Sequence, residues 1–124
     1  MTSRQVLIPD ATHPITITPL ASRVVVSAGR TVIAQTSSAL SLQEANYPAV
    51  AYVPLVDVEP SVLRESDHTT YCPYKGDATY LSVVVDDTRI ENGIWRYENP
   101  SDSVREIAGF VAFYPDRFQI QILD

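Results

Sequence analysis

The chemically most distinctive stretch of this chain is Thr70-Tyr71-Cys72-Pro73-Tyr74-Lys75-Gly76-Asp77, which contains the only cysteine and the only lysine among 124 residues. A thiolate is more populated at neutral pH when a cationic group lies beside it, so Lys75 is a candidate activator of Cys72 as a nucleophile. The plain alternative is that Cys72 is a small buried apolar residue, as most free cysteines are. The stretch supplies one weak candidate for a catalytic residue, Cys72, and does not define a reaction.

The candidate base closest to Cys72 in sequence is His68. Four residues of extended chain span about 13 Å at about 3.3 Å per residue, so a direct His68–Cys72 pair requires a bend between them. This spacing weakens the hypothesis of a thiol-dependent enzyme.

Lys75 has two interpretations of its own. It is a candidate for binding an anionic group or for acting as a polar anchor in a pocket. The alternative is a salt bridge to Asp77 or Asp57, which on the surface would contribute about 0 to 1 kcal/mol.

Aromatic side chains are concentrated on the segments around this stretch. Tyrosine and tryptophan combine an apolar body with a polar tip, so they can line a pocket for a planar or cationic ligand, although they are equally suited to a sheet core. From this density we predict a site that binds a small molecule or a short peptide segment. Its predicted binding residues are Tyr71, Cys72, Tyr74, Lys75, Tyr80, Trp95 and Tyr97.

The backbone that carries these residues is predicted to be a strand end entering a turn. Pro73 disfavours helical dihedral angles at Cys72, and Gly76 permits the positive φ of a turn. The following segment, residues 79–85, is the strongest strand signal in the chain.

Short alternating and β-branched runs elsewhere predict about nine strands, and therefore a mainly β protein whose antiparallel sheets form a folded or partly open barrel. Tight turns are predicted at residues 27–30, 86–87 and 92–93, and a terminal hairpin is predicted around residues 115–117. Residues 57–64 are predicted to form a helical turn with Asp57 as its cap, and residues 65–68 a polar loop. One short helix is predicted near residues 100–108, capped by Asn99 and ended by Gly109.

Length and composition fit one domain, with residues 1–14 as an N-terminal arm or edge strand and residues 15–124 as a single β-rich domain. The net charge of −6 and the scattered basic residues argue against nucleic acid and an anionic membrane surface as partners.

The single cysteine and the lack of a signal-like N-terminus predict a cytoplasmic protein. We expect no metal and no cofactor, because no ligand spacing and no glycine-rich phosphate loop is present.

The segment Tyr71-Cys72-Pro73-Tyr74-Lys75-Gly76, followed by Ala78 and Tyr80, resembles the signature of the uncharacterised bacterial family known as domain of unknown function 427. The resemblance runs from about residue 20 to residue 120. It includes Tyr52, Pro54, Asp57 and Val58 before the signature, and Trp95, Tyr97, Pro100, Gly109, Ala112, Phe113 and Tyr114 after it. It implies an all-β, tent-like pair of sheets similar to those of small zinc-binding β-domains. This chain lacks the paired cysteines that hold the metal in such domains. It implies no activity.

One departure from the family pattern lies before Asp57. The family carries a charged pair there, whereas this chain has Leu55 and Val56.

Three functions remain open at this point. The first is ligand binding beside the signature, with Tyr74, Lys75 and Trp95 as the main contacts, and the second is a thiol-dependent enzyme using Cys72. The third is a structural or assembly module, in which an exposed strand edge would allow homo-oligomers to form.

Overall fold

The computed structural model describes residues 5–123, so residues 1–4 of the predicted arm and Asp124 lie outside the described residues. Within the described range the chain forms ten strands and three short 3₁₀ helices. The strands are β1 (Ile15–Pro19), β2 (Arg23–Ala28), β3 (Thr31–Thr36), β4 (Leu40–Glu44), β5 (Val50–Pro54), β6 (Leu63–Cys72), β7 (Gly76–Val85), β8 (Thr88–Arg96), β9 (Phe110–Phe113) and β10 (Gln119–Leu123). The 3₁₀ helices span Leu55–Asp57, Pro60–Val62 and Asp102–Ile107.

The strands form two antiparallel sheets. The larger sheet has seven strands in the order β1-β4-β5-β9-β8-β7-β6, and the smaller has three in the order β10-β2-β3. The prediction of a mainly antiparallel β protein is confirmed. Both sheets are open, since each ends in strands with a neighbour on one side only.

Alternation along the strands gives the larger sheet two apolar faces. On β9, Val111 and Phe113 point into a core shared with the smaller sheet, while Ala112 belongs to a second cluster on the opposite face. On β8, Ile94 and Trp95 divide in the same way. Successive side chains of a strand point to opposite faces, so this pattern requires a cover on each side. We call the face with the second cluster the outer face.

The cover of the outer face comes from the 3₁₀ helix Asp102–Ile107. Its Val104 and Ile107 are fully buried in the second cluster. The predicted short helix is therefore present, with a kink at Val104, but its predicted cap is wrong. Ser101 occupies the N-cap position without a side-chain capping bond, and its backbone N–H donates to Lys75 O at 3.0 Å.

Two of the predicted turns are present as two-residue connections. Gly29 and Arg30 join β2 to β3, and Asp86 and Asp87 join β7 to β8. Both aspartates have positive φ, 50° and 66°, as a type I′ hairpin turn requires.

Four other local predictions are wrong. Residues 57–64 are not one helical turn, because two separate 3₁₀ helices precede β6, and Asp57 ends the first of them instead of capping one. Residues 65–68 belong to β6 and are not a loop; the pairing register shifts between Glu65 and Thr69. The predicted tight turn at residues 92–93 and the predicted terminal hairpin are also absent.

Asn92 and Gly93 do not form a turn but an irregularity inside β8. The register with β7 shifts there, and Asn92 adopts φ 51° while its N–H donates to the buried Ser82 Oγ at 2.9 Å. A bulge and a tight turn both use residues that tolerate positive φ, which is why the sequence pattern is ambiguous.

The predicted terminal hairpin is absent. β9 pairs with β5 and β8 in the larger sheet, whereas β10 pairs with β2 in the smaller one. Residues 114–118 therefore carry the chain from one sheet to the other.

Residues 5–14 contain no strand. An isolated bridge joins Asp10 to His13, and β1 follows as one edge of the larger sheet. The backbone N–H of Leu7 donates to Pro73 O at 2.9 Å, so this segment lies against the turn that carries the signature.

Candidate functional site

The signature forms the hairpin between β6 and β7. Cys72 ends β6, Pro73 to Lys75 form the turn and Gly76 begins β7 with φ 106°. The Lys75 N–H donates to Cys72 O at 3.2 Å, which closes the turn. The predicted strand end and turn are therefore present, and Gly76 supplies the positive φ that a side chain would strain.

An ion pair connects this turn to β4 at the opposite side of the larger sheet. Lys75 is only 8% exposed, and its Nζ donates to Glu44 Oε1. The other carboxylate oxygen, Oε2, accepts from His13 Nε2 at 2.8 Å. The predicted alternative partners of Lys75, Asp77 and Asp57, are thus replaced by Glu44.

The His13 ring also contacts the turn. It stacks on Tyr74 with ring centroids 4.1 Å apart and planes 10° apart. Tyr71, on the same hairpin, donates its hydroxyl proton to Gln5 O at 2.5 Å. The N-terminal segment is therefore attached to the hairpin by side chains as well as by backbone.

Burial alone would raise the pKa of Glu44. The hydrogen bonds from Lys75 and His13, together with their charges, outweigh burial and hold the pKa below its ordinary value of 4.5. Glu44 is therefore an ionised carboxylate over the whole neutral range.

This shift makes a prediction for acid stability. A carboxyl whose pKa is lower in the folded state contributes stability that is present above pH 4.5 and is lost as the pH falls through the folded pKa. We expect the free energy of unfolding to decrease less steeply below pH 4.5 in Glu44→Gln than in the wild type, measured by urea unfolding at a series of pH values. Equal slopes in the two proteins would contradict the role assigned to Glu44.

A cavity of about 280 Å³ opens beside the ion pair on the outer face. Glu44 and Lys75 are part of its wall, and Leu42, Pro48 and Val50 supply apolar surface. The rest of the wall is aromatic and consists of Tyr47, Tyr52, Tyr80, Trp95, Tyr97 and Tyr114.

The rings of this pocket contact one another. Trp95 Nε1 donates to the Tyr52 hydroxyl at 3.2 Å, and the Trp95 and Tyr114 ring centroids are 4.6 Å apart. The Tyr80 hydroxyl pairs with Thr70 Oγ1 at 2.9 Å. Tyr52, Tyr80 and Tyr97 are buried, whereas Tyr47 is exposed to solvent.

The phenols of Tyr52, Tyr97 and Tyr114 are neutral at physiological pH, because the pKa of each is raised. Burial raises the pKa of Tyr52 to about 12, and it also raises the pKa of Tyr97. Burial, together with a hydrogen bond to Tyr80, raises the pKa of Tyr114 to about 12. The pocket therefore offers hydroxyl groups that can donate as well as accept, and its formal charges are those of Lys75 and Glu44.

Four of the predicted binding residues line this pocket: Lys75, Tyr80, Trp95 and Tyr97. Three do not, because Tyr71 and Tyr74 contact the N-terminal segment and the half-buried Cys72 packs against the second cluster.

The wall residues that the sequence prediction missed are mainly on β4, β5 and their connection. Glu44 is the most important of them, and Tyr47, Tyr52 and Tyr114 supply three of the six rings. The three tyrosines could have been identified from their aromatic character. No sequence pattern indicates that Glu44 contacts Lys75.

The two candidate activators of Cys72 have other partners. The Lys75 ammonium is paired with Glu44, and the His68 ring lies against Tyr80 with centroids 4.6 Å apart. These contacts give the thiol-enzyme hypothesis no specific support.

Within residues 5–123, no group of three or more His, Cys, Asp or Glu side chains is arranged to hold a metal ion. The same part of the chain contains no helix of the length and apolar character needed to cross a membrane.

Comparison with known proteins gives a family but no activity. A search of curated proteins found no match to the chain. The model of one family matches residues 16–123, which include all of β2 to β10, β1 except for Ile15, and every residue of the pocket wall. The chain therefore belongs to the family described as domain of unknown function (DUF427).

Proposed function

We propose that this protein binds a small organic molecule in the aromatic pocket beside the signature hairpin. The observation that carries the proposal is a cavity of about 280 Å³ walled by six aromatic rings and a Lys75–Glu44 ion pair. Ligand sites are typically concave and mostly apolar, with a few well-placed polar groups that fix the orientation of the ligand.

The size of the cavity favours a small molecule over a peptide segment. Small-molecule sites occupy about 300 to 1,000 Å³, so a cavity of about 280 Å³ is at the lower limit of this range and suits a ligand of about one ring with a short polar group. Its aromatic walls favour a planar ring, which can pack edge-to-face or offset against Trp95 and Tyr114.

Trp95 gives the pocket an internal reporter, because it is the only tryptophan in the chain. A broad metabolite set should be screened for compounds that raise the melting temperature and change Trp95 fluorescence. A ligand at 100 times its Kd stabilises the folded state by about 2.7 kcal/mol, enough to raise the melting temperature by several degrees. A screen in which no compound changes either quantity would refute the proposal.

A pair of matched substitutions locates the binding site. Val50→Phe adds a ring to the pocket wall, whereas Val56→Phe makes the same change at a residue that is 90% exposed and outside the pocket. We expect Val50→Phe to weaken binding at least about tenfold and Val56→Phe to leave it unchanged, measured by fluorescence titration. Equal affinities in the two variants would place the ligand elsewhere on the protein.

Cys72→Ser separates this proposal from thiol chemistry. The Cys72 side chain is not part of the pocket wall, so the variant should bind the same ligand with the same affinity. Loss of binding in Cys72→Ser would favour a direct role for the thiol.

A further inference from the structure

The ion pair in the pocket wall restricts the charge of the ligand. Lys75 and Glu44 face the same small cavity, and their side chains are only 10% and 15% exposed. A ligand with a single negative charge would be repelled by the carboxylate of Glu44, and a ligand with a single positive charge would be repelled by the ammonium of Lys75. Either ligand would leave one charge unbalanced in a desolvated site, which is costly.

The pair also retains hydrogen-bonding capacity. An ammonium has three donors, and among the described residues one donor of Lys75 is used by Glu44. A carboxylate has about four acceptor positions, and within residues 5–123 Glu44 uses two of them, for Lys75 and His13. Further donors and acceptors of opposite charge therefore lie side by side at one wall.

A ligand that carries both charges satisfies both groups. Its carboxylate would accept from Lys75 and its ammonium would donate to Glu44, so that four charges alternate in sign and the site stays electrically neutral. Hydrogen bonds between charged partners are the strongest that such a wall can form.

From the juxtaposition of this ion pair with six aromatic rings, we infer that the ligand is a zwitterion with a planar ring, the chemistry of an aromatic α-amino acid. This inference rests on the proposed function and specifies its ligand class. The rings of Trp95 and Tyr114 provide the surface for the ligand ring, and Lys75 and Glu44 bind its charged end.

Four probes that carry a phenyl ring on a chain of two or three carbons test the inference: L-phenylalanine, 2-phenylethylamine, 3-phenylpropanoate and the neutral 3-phenyl-1-propanol. None of them absorbs where Trp95 is excited selectively, so each can be titrated by fluorescence. We expect L-phenylalanine to bind at least about tenfold more tightly than any of the other three, since each lacks at least one charged hydrogen bond. A singly charged or neutral probe that binds as tightly would overturn the inference and leave the proposed function standing.

Glu44→Gln provides a second, independent test, because it removes the negative charge and keeps a similar shape. We expect the Glu44→Gln variant to bind 3-phenylpropanoate more tightly than L-phenylalanine, because the carboxylate of this probe can still pair with Lys75. An unchanged order of affinities would overturn the inference. If no probe binds the wild type, the inference is wrong, and the proposed function fails with it only if the broad metabolite screen is also negative.

Discussion

Lys75→Met is expected to destabilise the protein by about 3 kcal/mol, because it leaves the carboxylate of Glu44 in the outer-face cavity without its main cation. This value is at the low end for breaking a buried ion pair, since both side chains keep some exposure and His13 still donates to Glu44. Methionine retains the length and the apolar stem of lysine, so the change tests the charge more than the packing. Urea unfolding followed by circular dichroism measures the effect.

Two further variants show whether the loss comes from the unpaired carboxylate. The double variant Lys75→Met with Glu44→Gln removes both charges and should recover most of the lost stability. Arg89→Met breaks an ion pair with Glu91 whose side chains are 50% and 60% exposed, and it should leave stability nearly unchanged because solvent screens this pair. A loss in Lys75→Met as small as that of Arg89→Met would contradict the account.

Gly93→Ala is expected to cost about 1 to 3 kcal/mol by overpacking the core between the two sheets. A Cβ at this position would lie 2.7 Å from Ile90 Cγ2 and 2.8 Å from Phe118 Cε2, closer than real Cβ atoms approach carbon. Phe118 is buried in the core between the sheets, so its ring cannot simply move into solvent. Thermal or urea unfolding measures the loss.

Phe118→Leu provides the control for this steric explanation. It removes the ring edge that the new methyl group would meet, so Gly93→Ala should cost less in the Phe118→Leu background than in the wild type. Identical costs in both backgrounds would show that the Phe118 ring is not the cause and would leave the contact with Ile90 Cγ2 as the explanation.

Several elements could be predicted because their signals are local. The turn at Asp86-Asp87 follows from residues that tolerate positive φ between two β-branched runs, and the extended backbone at Cys72 follows from Pro73. The mainly antiparallel β architecture follows from many short alternating segments in the same way.

Other elements depend on pairing between strands, which the sequence pattern does not define. Asn92-Gly93 has the composition of a tight turn, yet its neighbours on both sides continue one strand against β7. β9 and β10 are close in sequence, but residues 114–118 take them to different sheets. The hydrophobic pattern is the same whether two neighbouring strands pair with each other or with distant strands.

The candidate site was predictable only in part for the same reason. Four wall residues were predicted because they lie on the signature hairpin or on β8 and its end: Lys75, Tyr80, Trp95 and Tyr97. The three aromatic residues stand out by their density in this part of the sequence, and Lys75 stands out as the only lysine. Glu44 is 31 residues from Lys75, and only the packing of the fold brings the two together.

The location of the pocket follows from how the two faces of the larger sheet are covered. The smaller sheet covers one face, with residues such as Val24 and Val26 in the shared core. On the other face, the 3₁₀ helix Asp102–Ile107 buries only Val104 and Ile107 against the second cluster. The aromatic side chains at the edge of this cluster therefore surround a cavity open to small molecules.

The Trp95 indole N–H resonance tests ligand binding in this pocket most directly. With a single tryptophan the spectrum contains one such signal, from a group that donates to Tyr52 inside the pocket. Titration with the best compound of the screen should shift this resonance saturably in the wild type and in Val56→Phe, and should require at least about tenfold more ligand in Val50→Phe. A resonance that no compound shifts, or one that shifts identically in Val50→Phe, would contradict ligand binding in the pocket.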